Sequence, residues 1–134
     1  MKNLIILVVI SLFFTACNKA GKQLKERIID ADSIAINYFK GDGSMDTVVA
    51  VKVVKDKNTI NQLVNFVSAG SGSKTGGCGL NGSLHFFKIN RVVQDIDFST
   101  AEGDCNQFTY LVKGKYYAAP VNDEAKKLLL QLKK

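Results

Sequence analysis

Few side chains in this sequence are of the types that do chemistry, and they are spread along the chain. His85 is the only histidine. Asp95 and Asp97 alternate along one predicted strand and therefore point to the same side of it, and Glu102 and Asp104 follow in the next loop. Paired carboxylates serve acid–base catalysis or bind Ca²⁺, but a calcium loop has a denser and fixed pattern of oxygen ligands. We therefore expect a solvated strand face at these aspartates.

The sequence contains none of the short patterns that mark common catalytic or metal sites. A GxSxG or HExxH segment is missing, and no CxxC pair is present. If the turn at Ile89-Asn90 has two residues, His85 shares an apolar face with Phe87, Ile96 and Phe98, which indicates a core histidine. The sequence thus predicts no catalytic residue, no metal and no cofactor.

Residues 69–83 read AGSGSKTGGCGLNGS and raise the question of phosphate binding. A P-loop needs the pattern GxxxxGK[ST] after a strand and before a helix. Here Ser73 precedes Lys74, and the segment follows a predicted helix and precedes a predicted strand. The pattern therefore indicates a long loop that Cys78 holds in place, without a phosphate.

The N-terminus carries the features of an export signal. A short basic start leads into the apolar residues 4–14, LIILVVISLFF, a run well short of the roughly 20 residues that span a bilayer. The following FTAC resembles the lipobox of bacterial lipoproteins, with Phe14 where leucine is usual. This resemblance implies that residues 1–16 are a signal peptide and that acyl chains on Cys17 anchor the protein in a membrane.

The other two cysteines, Cys78 and Cys105, form an even pair in a small exported domain, which is typical of a disulfide. A metal or redox pair is the alternative, but zinc sites need close-set ligand pairs. The chain-entropy model gives such a link about 3.5 kcal/mol.

Charge is concentrated near the start of the exported chain. The whole sequence has a formal net charge of +6, and residues 18–27 contain Lys19, Lys22, Lys25 and Arg27 against Glu26 alone. We expect residues 17–30 to be a polar tether that is solvated or rests on anionic headgroups, and residues 31–134 to be one domain. The rest shows no clustered basic face, so a nucleic-acid partner is not expected.

The apolar pattern predicts an α+β domain in the order ββαββββα, with a largely antiparallel sheet and helices on one face. Strand-like runs lie at residues 34–39, 47–54, 84–88, 91–99, 106–113 and 115–120. A first helix capped by Asn58 or Thr59 and a last one capped by Asn122 or Asp123 complete it. In such a meander, Cys78 and Cys105 lie at the same end of the sheet.

Both faces of the last four strands carry apolar side chains. Either other elements cover the second face or it is an exposed interaction surface, and simple coverage is the expectation. The candidate binding residues on that second face are Phe86, Leu111 and Tyr116.

FTAC, the segment CGLNGSLHFFKINRVVQDIDF, the later cysteine and YLVKGKYY together resemble small lipoproteins of Bacteroides-type bacteria. The resemblance implies an envelope location, most simply the outer membrane, and brings no catalytic residues with it. The expected function is a non-enzymatic binding or accessory module, with an envelope protein as a possible partner. Two alternatives stay open: a small enzyme whose site is assembled only in space, and an inhibitor of an exogenous enzyme.

Overall fold

The structure is a computed structural model that describes residues 19–41 and 47–134. The predicted signal peptide, Cys17 and the tip of the first hairpin loop lie outside these residues. The described elements are α1 (Lys19–Ile28), β1 (Ser33–Phe39), β2 (Val48–Val54), α2 (Lys57–Val67), β3 (Gly82–Lys88), β4 (Arg91–Ser99), a short 3-10 helix (Gly103–Cys105), β5 (Gln107–Val112), β6 (Lys115–Pro120) and α3 (Asp123–Lys133).

The strands form one antiparallel sheet in the order β2-β1-β3-β4-β5-β6. Two tight turns connect β3 to β4 and β5 to β6. Their central residues all have positive φ: 50° at Ile89, 61° at Asn90, 51° at Lys113 and 79° at Gly114. These values fit the turn type whose twist matches paired strands. The predicted α+β class, the element order ββαββββα that follows α1, and the tight turns are confirmed.

All three described helices pack on one face of the sheet, because every second strand residue joins the helix side chains in a single buried cluster. Ile36, Leu84 and Ile96 lie at paired positions on neighbouring strands and are fully buried. Apolar burial of this kind is the main favourable contribution to folding. The face that the helices leave uncovered is therefore where the polar strand residues collect.

The expected tether is wrong for residues 19–28, which form helix α1. Ala20, Leu24 and Ile28 recur every four residues, lie on one side of the helix and are buried in the core. The backbone N–H of Gly21 donates to Ser71 Oγ at 2.7 Å and so fixes the helix start to the loop after α2. The domain thus begins before residue 31, and the basic side chains lie on its surface.

A β-bulge on β4 overturns the predicted facing of two residues. Phe87 pairs with Val92, but the next pair is Phe86 with Gln94, so Val93 is an extra residue on β4. One inserted residue reverses which side each later position faces. Phe86, proposed for the binding face, is consequently in the core, and His85 lies opposite the core instead of within it.

Helix α2 begins at its cap Asp56, whose carboxylate accepts from the Thr59 N–H at 2.9 Å, so the expected caps Asn58 and Thr59 are wrong by a few residues.

The segment after α2 closes one end of the molecule. The predicted disulfide between Cys78 and Cys105 is confirmed, with the two Cα atoms 5.4 Å apart. It ties the glycine-rich loop to the start of β5.

Candidate functional site: the open face of the sheet

The face opposite the helices, here called the open face, is defined by paired strand positions. Asn37, Ser83, Asp97 and Thr109 lie side by side across four strands. The adjacent row runs through Ala35, His85 and Asp95, and continues on the far strands with Leu111 and Tyr116. Val51 and Val53 extend the two rows on β2. The open face therefore has a polar centre between apolar margins.

His85 is the centre of a hydrogen-bonded chain on this face. Its Nδ1 lies 2.6 Å from Asp95 Oδ1, and its Nε2 lies 3.0 Å from Ser83 Oγ and 3.2 Å from Asn37 Nδ2. The amide nitrogen of Asn37 only donates, so Nε2 is the acceptor and Nδ1 carries the proton that Asp95 accepts. This hydrogen-bonded chain was not predicted from the sequence, because the bulge on β4 is what brings His85 opposite Asp95.

The order Ser83–His85–Asp95 has the connectivity of a nucleophile, a base and an orienting carboxylate. Two features separate it from a complete hydrolytic site. Ser83 is only 5% exposed, and it is the second residue of β3, which is paired on both sides, so the backbone N–H groups around it belong to ladders. Asp97 also lies directly beside Ser83, where an oxyanion would need hydrogen-bond donors.

Asp97 and Lys74 connect the open face to the glycine-rich loop. Burial raises the pKa of the half-buried Asp97 carboxyl and the nearby Asp95 charge raises it further, while the Lys74 cation and the electrostatic contribution of His85 oppose this rise in pKa. The Lys74 ammonium also lies 4.5 Å from the centre of the Tyr116 ring, a cation–π distance. Lys74 thus spans from the polar centre to the apolar margin.

The loop itself covers one end of the open face. Gly72 and Ala118 exchange backbone hydrogen bonds of 2.9 and 2.8 Å, and Thr75 exchanges two with the Gln107 side chain, at 3.1 and 3.0 Å. The segment neither opens a helix nor gathers its N–H groups around a site, which agrees with the expected loop fixed by its cysteine.

A shallow cleft opens beside Asp95 where β4 and β5 part. Their pairing ends at Ile96 and Tyr110, and the cleft is lined by Asp95, Asp97, Leu111 and Tyr116 among others. Gln94, 7% exposed, bridges its floor. The Gln94 amide donates to the backbone oxygens of Asp95 and Leu111 at 3.1 and 3.4 Å and accepts from Arg27 at 3.0 Å.

Apolar side chains stand in solvent on both sides of the polar centre. Leu111 is 41% and Tyr116 53% exposed, and Val51 and Val53 are more exposed still. Of the predicted binding residues, Leu111 and Tyr116 are therefore adjacent on the surface, and Phe86 is not with them. The expectation that other elements cover this face is wrong for these margins.

The carboxylates that the structure describes do not form a metal-binding cluster. Within residues 19–41 and 47–134, no group of three or more histidine, cysteine, aspartate or glutamate side chains is placed to hold a metal ion. Glu102 and Asp104 lie around the short 3-10 helix. Of the described helices, none is long and apolar enough to cross a membrane.

Comparison with protein-family models, curated proteins and solved structures finds no match to this chain.

Proposed function

We propose that this protein is a membrane-anchored envelope lipoprotein that binds another protein through the open face of its sheet. The observation that carries the proposal is the uncovered sheet face with exposed Leu111 and Tyr116 beside the carboxylate of Asp95. Exposed apolar and aromatic groups next to polar ones are typical of protein-binding surfaces. The lipobox-like FTAC supports the anchor.

The side chains of the open face also indicate what kind of partner would bind it. Asp95 is 65% exposed and lies next to Leu111 and Tyr116 in the cleft. A partner with an apolar protrusion and an adjacent lysine or arginine fits both features, since an exposed carboxylate favours a cation beside it. An envelope protein and an exogenous enzyme that this protein inhibits are two partners of this kind.

Cross-linking in cells tests the binding face. A photoreactive amino acid in place of Tyr116 should give a discrete cross-linked product, whereas the same amino acid at Leu130 on α3, which is 56% exposed, should not. Tyr116→Ala should weaken association with the captured partner and leave the melting temperature nearly unchanged. Equal cross-linking at both positions, or at neither, contradicts the proposed face.

Membrane fractionation tests the anchor separately. Cys17→Ser removes the only thiol in the lipobox-like segment, so the protein should move from the membrane to the soluble fraction. A variant that stays with the membrane to the same extent as the natural chain rejects acylation at Cys17, whatever the open face binds.

The chain from Asp95 through His85 to Ser83 favours a second candidate function, hydrolysis of a small ester. In this reaction Ser83 Oγ attacks the ester carbonyl and its proton passes to His85 Nε2. The leaving alcohol takes that proton, and water then releases the acid from Ser83. The substrate must be small because Ser83 is almost buried.

A small chromogenic acetate ester distinguishes this candidate from binding alone. Turnover that Ser83→Ala and His85→Ala both abolish, while the control Ser33→Ala on the neighbouring strand retains it, would establish hydrolysis. Turnover no faster than the uncatalysed reaction, or unaffected by Ser83→Ala, leaves the chain as a structural hydrogen-bond network.

A further inference from the structure

The two edges of the sheet differ in how they are closed to further strands. At the β6 edge, Gly72 pairs with Ala118, and Pro120 has no N–H to offer. At the other edge, β2 pairs only with β1 among the described strands. An unprotected edge presents a row of free backbone donors and acceptors to another strand.

The side chains of strand β2 are mainly apolar. Its sequence is VVAVKVV, and four of its valines are 46–61% exposed: Val48, Val49, Val51 and Val53. Lys52, its one charged residue, pairs with Ile36 and so points to the helix side. Of the features that protect natural edge strands, β2 has a lysine that faces the helix side and a bulge at Val49, but it has no proline and no charged side chain on the open face.

The β2 sequence is nearly the same read in either direction about Val51. In an antiparallel pair of two β2 strands centred there, Val51 faces Val51 of the second copy, Val49 faces Val53, and Ala50 faces Lys52. Apolar cross-strand pairs of this kind are favourable. Because Val49 is an extra residue against β1, regular pairing is centred on Ala50, Val51 and Lys52.

Charge disfavours one neighbouring register. Moving the centre to Lys52 would place two lysines opposite each other, which is unfavourable. A register shifted by one residue would pair a side chain on the open face of one copy with a side chain on the helix side of the other. The chain is therefore complementary to itself at this edge.

We propose that two copies of this chain pair through their β2 edges around a two-fold axis at Val51, forming one continuous twelve-stranded sheet. The contact is isologous, so it closes at two copies, and the capped β6 edge stops further growth. The axis is perpendicular to the sheet, so the helices of both copies lie on one side and both open faces on the other. Helix α3 packs against β2 in each copy.

The contact is small. A single strand pair lies at the low end of specific interfaces, below about 1,200 Å² in total, so we expect a reversible dimer rather than a permanent one. Sedimentation velocity of the full chain, in density-matched detergent, should therefore show a monomer–dimer equilibrium whose dimer fraction rises with concentration.

Val51→Lys provides the direct test, because it places two like charges at the axis. Val51 is 57% exposed, so the monomer should fold, as an unchanged melting temperature would show. The dimer should disappear in this variant and persist in the control Val92→Lys, where the valine is 48% exposed but lies away from this edge. If Val51→Lys unfolds, Val53→Lys serves in its place.

Oxidative cross-linking locates the axis independently. Val51→Cys should give a disulfide-linked dimer on a non-reducing gel, and Val92→Cys, which retains the same other cysteines, should not. A chain that stays monomeric at all concentrations, a dimer that both lysine variants retain, or equal cross-linking at both positions would overturn the proposal. Oligomers larger than two would overturn its closed form. None of these outcomes bears on binding by Tyr116.

Discussion

At the scale of single residues, Asp95 and Asp97 share a strand and a face but have different surroundings. Asp95 is exposed and accepts from His85. Asp97 is half-buried between Ser83 and Thr109, and burial raises the pKa of its carboxyl. The folded state therefore binds the Asp97 proton more tightly than the unfolded chain does. At neutral pH the ionised Asp97 carboxylate therefore lowers the stability of the folded state.

This difference predicts a pH-dependent effect of Asp97→Asn. The stability that comes from the proton is fully present below the ordinary aspartate pKa and is lost as the pH rises through the raised pKa. Asp97→Asn should therefore raise the melting temperature slightly at pH 7, and the gain should vanish at pH 3. Asp95→Asn is the matched control and should give no gain. An Asp97→Asn variant that is less stable at every pH would contradict this account.

Sequence patterns identified the residues that could take part in chemistry but placed His85 on the wrong face of the sheet. Alternation along β4 correctly put Asp95 and Asp97 on one side, since that inference needs only a single strand. Which residues of β3 and β4 share a face depends on the number of residues that separate them along the chain. The extra residue Val93 changes the result for the positions that follow it. A bulge depends on how two strands fit together, so neither strand alone signals it.

At the scale of elements, hydrophobic periodicity was enough for β1 to β6, α2 and α3, but not for α1. The apolar positions of α1 are only Ala20, Leu24 and Ile28, among charged neighbours. Their spacing of four is a helical signal that the surrounding lysines obscured. Burial against the sheet, rather than composition, determines that this segment is a helix.

The β3–β4 turn predicts a stabilising substitution. Ile89 has φ 50° and is 77% exposed, and a β-branched side chain is strained in this left-handed region. Asparagine is favoured there, so Ile89→Asn should stabilise the fold by about 1 kcal/mol. Urea denaturation measures the change. The control Val92→Asn, in regular strand, should destabilise, and a neutral or lower midpoint for Ile89→Asn would argue against strain at the turn.

At the scale of the whole molecule, the disulfide joins two segments that hydrogen bonds between Thr75 and Gln107 also connect. Cys78 and Cys105 are 27 residues apart in sequence. Replacing both by serine should lower the free energy of unfolding by about 3.5 kcal/mol in the chain-entropy model, a large part of the roughly 5–15 kcal/mol of a typical domain.

Denaturation with and without reductant checks this value. Reductant should shift the natural chain to the midpoint of the double serine variant and leave that variant unchanged. A loss below about 1 kcal/mol would contradict the chain-entropy value and indicate residual structure in the unfolded chain.

The position of helix α1 has a consequence for how far the protein reaches from a membrane. It begins at Lys19, so in the proposed lipoprotein Asn18 alone separates the acylated Cys17 from the folded domain. Two residue steps span at most about 7 Å. Such a protein has no stalk: the first turn of α1 is held at the bilayer surface, and the domain extends outward only as far as its own length.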